Sequence, residues 1–185
     1  AGTARGSAFT STDGGKSWRR LSGSLKPHQE PTLRMKLVDT RLPRTPIHAI
    51  AGARLPADKP TALTYVLAAT GYGVFSWDGA GWTSIVTGLE DPFSIGGGSV
   101  STHQLAFGKS LVGVATNQGL FLSTPIQSRD KWVWKPTGEN AIDGVPIVHI
   151  AATALGEWCV VTASGLWCSE DDGTSWTPVA VPGHR

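Results

Sequence analysis

The sequence predicts an all-β fold, a β-propeller of four-stranded antiparallel blades that forms part of a larger ring. Three observations carry this expectation. Charged residues are only 16% of the chain, against roughly 25% in ordinary soluble domains, whereas 23 Gly, 12 Pro and 8 Trp supply turns and large apolar side chains. The stretches STDGGKSW (11 to 18) and SEDDGTSW (169 to 176) hold Ser, Asp, Gly, Ser and Trp in register near opposite ends of the chain. Short apolar runs recur in a fixed order ahead of each Trp-bearing line, which is how a repeat architecture announces itself.

Anchored on tryptophan, the lines are SAFTSTDGGKSWRRLSG, YGVFSWDGAGWTSIVTG, QGLFLSTPIQSRDKWVWKPTG and SGLWCSEDDGTSWTPVAV, which place a Trp at 18, 82, 134 and 176. Each starts with an apolar run whose aromatic residue, Phe9, Phe75, Phe121 or Trp167, precedes a turn. Residues 1 to 23 hold only the third and fourth strands of a unit. Residues 24 to 46 are Pro-studded and basic and read as an interblade loop. Residues 47 to 88, 101 to 138 and 145 to 181 each carry four strands, the first two of each being HAIAGA with TYVLAAT, HQLAFG with SLVGVAT, and PIVHIAATA with EWCVVTA. Hairpins are expected where 64 to 70 meets 73 to 77, 111 to 116 meets 119 to 123, and 158 to 163 meets 166 to 169, with helix content close to zero.

An open fan of blades leaves sheet edges exposed, and propellers close with four to eight. Half a blade plus three therefore implies that the rest of the ring comes from further sequence or from another chain. The rival is a small four-bladed ring closed by residues 24 to 46.

The spelling of the repeated turn has a physical reason. The carboxylate of Asp13 or Asp171 can accept from backbone N–H groups within its own turn, Gly15 or Gly173 supplies backbone conformations that a Cβ disfavours, and the Ser11 or Ser169 hydroxyl adds a bond across the loop. Ser17 and Ser175 complete the pattern. Trp18 and Trp176 are expected to cover turns whose polar groups are buried. SWDGAGW keeps Asp78, Gly79 and Trp82 in a shortened turn, and the third line replaces the glycines with a longer loop ending at Trp132 and Trp134. Such drift fits a structural staple rather than a catalytic motif.

The two full copies resemble the Asp-box, or bacterial neuraminidase repeat, Ser-x-Asp-x-Gly-x-Ser/Thr-Trp, of sialidases, xyloglucanases, sortilin-type receptors and photosystem II assembly factors. The resemblance implies a propeller over nearly the whole chain. Its assembly-factor and receptor members imply a non-catalytic scaffold, an assembly factor or accessory subunit that binds a protein or peptide. Its hydrolase members imply the alternative, a carbohydrate-cleaving or glycan-binding propeller. Its members are commonly exported, which implies an extracytoplasmic location.

No enzymatic signature favours the alternative. A sialidase-type site needs three arginines, a Tyr nucleophile and an acid/base Asp; Arg34, Arg41, Arg44, Tyr65, Tyr72 and Asp39 supply the types, but TRLPRTP follows a box instead of preceding all of them, and both Tyr fall in a strand and its turn. A glycanase needs two facing carboxylates, and Asp91, Asp130, Glu139 and Asp143 offer no distinguishable pair. His48, His103 and His149 recur at the first strand of successive blades, which suggests a shared hydrogen bond to a neighbouring blade rather than a metal site. DPFSIGGGSV (91 to 100) has no following helix to make it a phosphate cradle. No cofactor and no metal are implied.

The net charge of +2 is unevenly spread: residues 1 to 60 hold eleven Lys/Arg against four Asp/Glu, and the remainder five against ten. Arg34, Lys36, Arg41 and Arg44 make the interblade loop a candidate partner-binding loop. No basic run has the length of a nucleic-acid arm, and no apolar run reaches a membrane span. If Ala163 and Ser164 form a two-residue turn, counting outward sets Cys159 directly across from Cys168, within reach of a disulfide.

Overall fold

A computed structural model describes residues 1, 3, 7–21, 25–26, 46–55, 63–77, 82–85, 88–89, 101–124, 132–137 and 142–180. These residues form strands and no helix. Strands β1 (Ala8–Thr10) and β2 (Arg19–Leu21) pair as a two-stranded sheet. On the other side of β1, Phe9 exchanges both backbone hydrogen bonds with Ala1, at 2.8 Å each. The N-terminal segment thus forms one strand pair with a further backbone pairing on the far side of β1.

Three larger sheets follow in the same antiparallel meander. The first holds β4 (Ile47–Leu55), β5 (Leu63–Thr70), β6 (Gly73–Trp77) and β7 (Trp82–Ser84). The second holds β8 (Thr102–Phe107), β9 (Val112–Thr116), β10 (Gly119–Ser123) and β11 (Lys135–Thr137), and the third β12 (Ile147–Ala152), β13 (Trp158–Thr162), β14 (Gly165–Ser169) and β15 (Thr177–Val179). Leu25–Lys26, β3, adds a short fifth strand to the first sheet, parallel to β7. It falls inside the segment expected to be loop, and it covers backbone groups that an edge strand would otherwise leave unpaired.

The hairpins joining second to third strands share one device. In Thr70-Gly71-Tyr72-Gly73 the Thr70 hydroxyl donates to the Gly73 carbonyl and accepts from the Tyr72 N–H. Thr116 does the same with Gly119 and Gln118, and Thr162 with Gly165 and Ser164. Gly73, Gly119 and Gly165 have φ of 99°, 123° and 140°, a region that side chains disfavour. The threonines are buried, so their hydroxyls are satisfied where water does not reach.

The core lies between sheets rather than within them. Tyr65, Leu67, Val74 and Ile85 of the first sheet pack with Val112, Val114, Phe121, Trp132 and Trp134 of the second. Ala115 and Leu120 pack with Ile147 and Val160 of the third. Ala8 and Leu21 of the half sheet pack with Ala68, Phe75 and Trp82. Sheets buried on both faces explain why β5 and β9 read as near-continuous apolar runs. First strands neighbour one another, β4 against β8 and β8 against β12, giving the inner wall of an arc of blades.

Candidate functional site

The antiparallel meander sorts the turns to two ends. At one end lie the Thr-x-x-Gly hairpins and the starts of the inner strands; at the other lie the turns joining third to fourth strands.

Both full copies of the repeated motif close identical networks at the second end. In the first, the Ser11 hydroxyl donates to Asp13 Oδ1 (2.8 Å) and accepts from the Gly15 N–H (2.8 Å), while Ser17 donates its N–H to Oδ1 (2.9 Å) and its hydroxyl to Oδ2 (2.6 Å). The Trp18 indole N–H reaches the Gly15 carbonyl at 3.0 Å. In the second, Ser169, Asp171, Gly173, Ser175 and Trp176 repeat each bond, and the Thr174 N–H adds another to Asp171 Oδ1. Gly15 and Gly173 have φ of 90° and 82°. The hydrogen bonds from Ser17 and Ser175, then those from Ser11 and Ser169, hold the pKa of Asp13 and of Asp171 down at about 2. A carboxylate held ionised and occupied on both oxygens is a poor proton shuttle.

The expectation that these turns bury their polar groups is corrected at the carboxylates, because Asp13 and Asp171 lie exposed. Beyond Ser11 the rest of the first turn is exposed too, whereas Ser169, Gly173 and the hydrogen bond between them are buried in the second of these turns. Their tryptophans differ. Trp176 packs into the seam between the second and third sheets, whereas Trp18 is 54% exposed. In the degenerate copies Trp82 is buried against Trp77, and Trp132 and Trp134 stack on each other; Asp78 and Gly79 lie outside the described residues. Trp134 also ties two blades together, its indole N–H donating to the Ile85 carbonyl at 2.6 Å.

The other end carries a histidine pair that only the three-dimensional register explains. Each inner strand has a register shift near its start, with Ile47 opposite Thr70, Thr102 opposite Thr116 and Ile147 opposite Thr162. The bulged position is His48, His103 and Val148. His149 sits one residue further, level with Ala49 and Gln104, so the three histidines do not share one position, and the expected bond to a neighbouring blade is seen at His48. His48 Nδ1–H donates to the Thr102 carbonyl of the next blade at 2.7 Å, and its ring stacks on His103 with centroids 6.0 Å apart. Burial, then the neighbouring His48 charge, holds the His103 pKa below its ordinary value. Behind the pair, the Thr102 hydroxyl donates to the Thr70 carbonyl and accepts from the Thr70 N–H, a further lock between blades. Tyr72, 59% exposed at its hairpin tip, and the exposed Val148 complete this end.

The remaining sequence candidates are dispersed. Tyr65 is buried and edge-on to Trp132, away from Tyr72. Asp143 is exposed in a turn. Asp39, Asp91, Asp130, Glu139 and the basic group Arg34, Lys36, Arg41 and Arg44 lie outside the described residues. Among the described residues no three His, Cys, Asp or Glu side chains converge to hold a metal, and no helix is long and apolar enough to cross a membrane. Cys159 and Cys168 are joined in a disulfide across β13 and β14, in the pairing that the two-residue turn requires.

No family model and no curated protein matches the chain. Among solved structures it is similar to YCF48 from Cyanidioschyzon merolae, a β-propeller, with a TM-score of 0.51 and 14% identity. The match covers 95% of this chain and 53% of that one, so the chain spans about half the length of that structure. The fold is a β-propeller of four-stranded antiparallel blades.

Proposed function

We propose that the chain is a non-catalytic propeller scaffold that binds a protein or peptide partner at its hairpin end, as an assembly or accessory subunit of a larger complex in an extracytoplasmic compartment. The observation that carries this reading is the occupancy of Asp13 and Asp171: the repeated motif spends both carboxylate oxygens on its own turn. What the hairpin end offers outward is recognition surface, with an aromatic ring at Tyr72, imidazoles at His48 and His103, and apolar Val148. Loops on a rigid scaffold are the ordinary place for such surfaces. We assign Arg34, Lys36, Arg41 and Arg44 to the same task, which gives the partner an acidic character. The disulfide supports the compartment, since such bonds persist where the environment is oxidising.

A carbohydrate platform would call for exposed tryptophans outside the repeated turns. The one Trp among the large exposed hydrophobics is Trp18, which belongs to a turn.

Affinity capture with mass spectrometry, run beside a glycan array, tests the reading. A captured protein should be lost with Tyr72→Ala combined with His103→Ala at unchanged melting temperature, and retained with Asp171→Asn. Glycan binding that those hairpin-end substitutions abolish would overturn it.

A further inference from the structure

The seam between the first and second sheets finishes, at the hairpin end, in two imidazoles side by side. It joins two complete sheets and has the half sheet beyond it on one side and the third sheet on the other. Both histidines sit on bulges, which turn a side chain out of the ladder's alternation, at one register position of β4 and β8. His48 is exposed and His103 half-buried, and their rings stack with 28° between the planes. The His48 ring is held by the peptide that carries its neighbour, since its Nδ1–H donates to the Thr102 carbonyl. That bond leaves Nε2 as its free nitrogen. The Thr102 hydroxyl bonds both backbone groups of Thr70, so the platform under the pair is in place before anything binds.

What the pair lacks is a counter-charge. Among the described residues no carboxylate bonds to either ring. Of the elements packed against the two strands, β5 and its hairpin bring Tyr72 to this end, and β9 with its hairpin brings no acid or base. The third, β12, brings His149, with the exposed Asp143 in the turn before it. Two neighbouring imidazoles with no anion between them resist a second proton, and burial, then the His48 charge, accordingly holds the His103 pKa below its ordinary value.

We propose that His48 and His103 form a carboxylate-binding subsite that takes an Asp or Glu side chain of the partner and holds it more tightly as pH falls. The subsite rests on the reading of the hairpin end as a partner surface, and it names the chemistry that surface selects. A carboxylate offers two acceptor oxygens, one for each ring, whereas two near-parallel rings 6.0 Å apart, with no third ligand beside them among the described residues, make a poor metal chelate. An anion seated on the rings favours their charged forms and raises the His103 pKa, so binding takes up a proton. Affinity is therefore fullest below the pKa of the empty site and is lost as pH rises through the pKa of the occupied one.

Proton–carbon NMR of the imidazole Cε1–H groups, assigned with single His→Gln variants, tests this on the unsubstituted chain, with a blocked tetraglutamate peptide as probe and its tetraglutamine counterpart as control. The Glu peptide should shift His48 and His103 saturably at pH 6, leave His149 in place, raise the pH midpoint of His103, and bind at least about tenfold more weakly at pH 8. The Gln peptide should do none of this. His103→Gln removes a ring that makes no hydrogen bond among the described residues, so it should weaken peptide binding by about tenfold at pH 6 with an unchanged melting temperature. His149→Gln should leave binding as it was. Shifts spread over all five histidines, an affinity independent of pH, or tighter binding of inorganic phosphate than of the Glu peptide would overturn the subsite. A protein captured through Tyr72 and His103 with equal affinity at pH 6 and pH 8 would overturn it and leave the partner surface standing. Peptide binding as expected, with no protein captured, would support the carboxylate site and count against that surface.

Discussion

Asp171 accepts from four donors, the hydroxyl of Ser169, the N–H groups of Thr174 and Ser175, and the hydroxyl of Ser175, and Asp13 accepts from three equivalent ones. All favour the ionised form, which is why both pKa values fall from 3.8 to about 2. A folded pKa below the unfolded one means that the stabilisation is complete above the unfolded value and is lost as pH drops through the folded one. The melting temperature should therefore decline between about pH 4 and pH 2, more shallowly in the double variant Asp13→Asn, Asp171→Asn. An identical slope in both proteins would show that the turns contribute nothing. The disulfide is a second residue-scale test. Intact mass should rise by two hydrogens on reduction, and alkylation-trapped protein from its native compartment should carry no free thiol. Closing so short a loop stabilises by about 2–3 kcal/mol in the chain-entropy picture, against nearly 5 for a loop of about 100 residues.

The hairpins connecting second to third strands hold their elements together through one buried hydroxyl each. Thr116→Val keeps the shape but leaves the Gln118 N–H without that acceptor and removes the bond to Gly119, so a cost of about 1–3 kcal/mol is expected by denaturant titration. A neutral result would mean that water replaces the hydroxyl. Close approach between elements is tested at Gly113, where a Cβ would lie 2.5 Å from the Trp158 ring and 2.8 Å from Ile150. Gly113→Ala should destabilise by about 1–3 kcal/mol through overpacking, and an unchanged midpoint would show that Trp158 moves aside freely. These devices separate what the sequence discloses from what it hides. The repeated turns were legible because their bonds join residues at most four apart, so spelling and geometry are nearly the same thing. Cys159 opposite Cys168 was legible by counting from a two-residue turn. The histidine pair was not: His48 and His103 meet only because bulges shift two inner strands alike and a neighbouring blade brings together residues 55 apart, and that same shift excludes His149. The exposure of Trp18 was equally hidden, since it depends on which sheet lies beside the turn rather than on the turn itself.

In the molecule as a whole each apolar cluster straddles a seam between sheets, so no single sheet encloses a core of its own. Stability then resides in nearest-neighbour contacts, as in other repeat architectures, and adjacent blades should unfold together only while the seam between them is intact. The seam joining the second and third sheets centres on Trp158, which is fully buried against Gly108 and Gly113. Truncating a buried Trp to Ala typically costs about 3–5 kcal/mol, enough to uncouple a terminal unit of a few dozen residues from its neighbours. In the unsubstituted chain, hydrogen exchange monitored by mass spectrometry should show β5 and β13 opening together near the denaturation midpoint. With Trp158→Ala, peptides covering 147 to 179 should open at lower denaturant than those covering 63 to 77, because the first seam, with its Trp134 to Ile85 bond, is untouched. Uniform loss of protection across all three sheets would instead mean that the blades share one cooperative core, and the seam account of stability would fail.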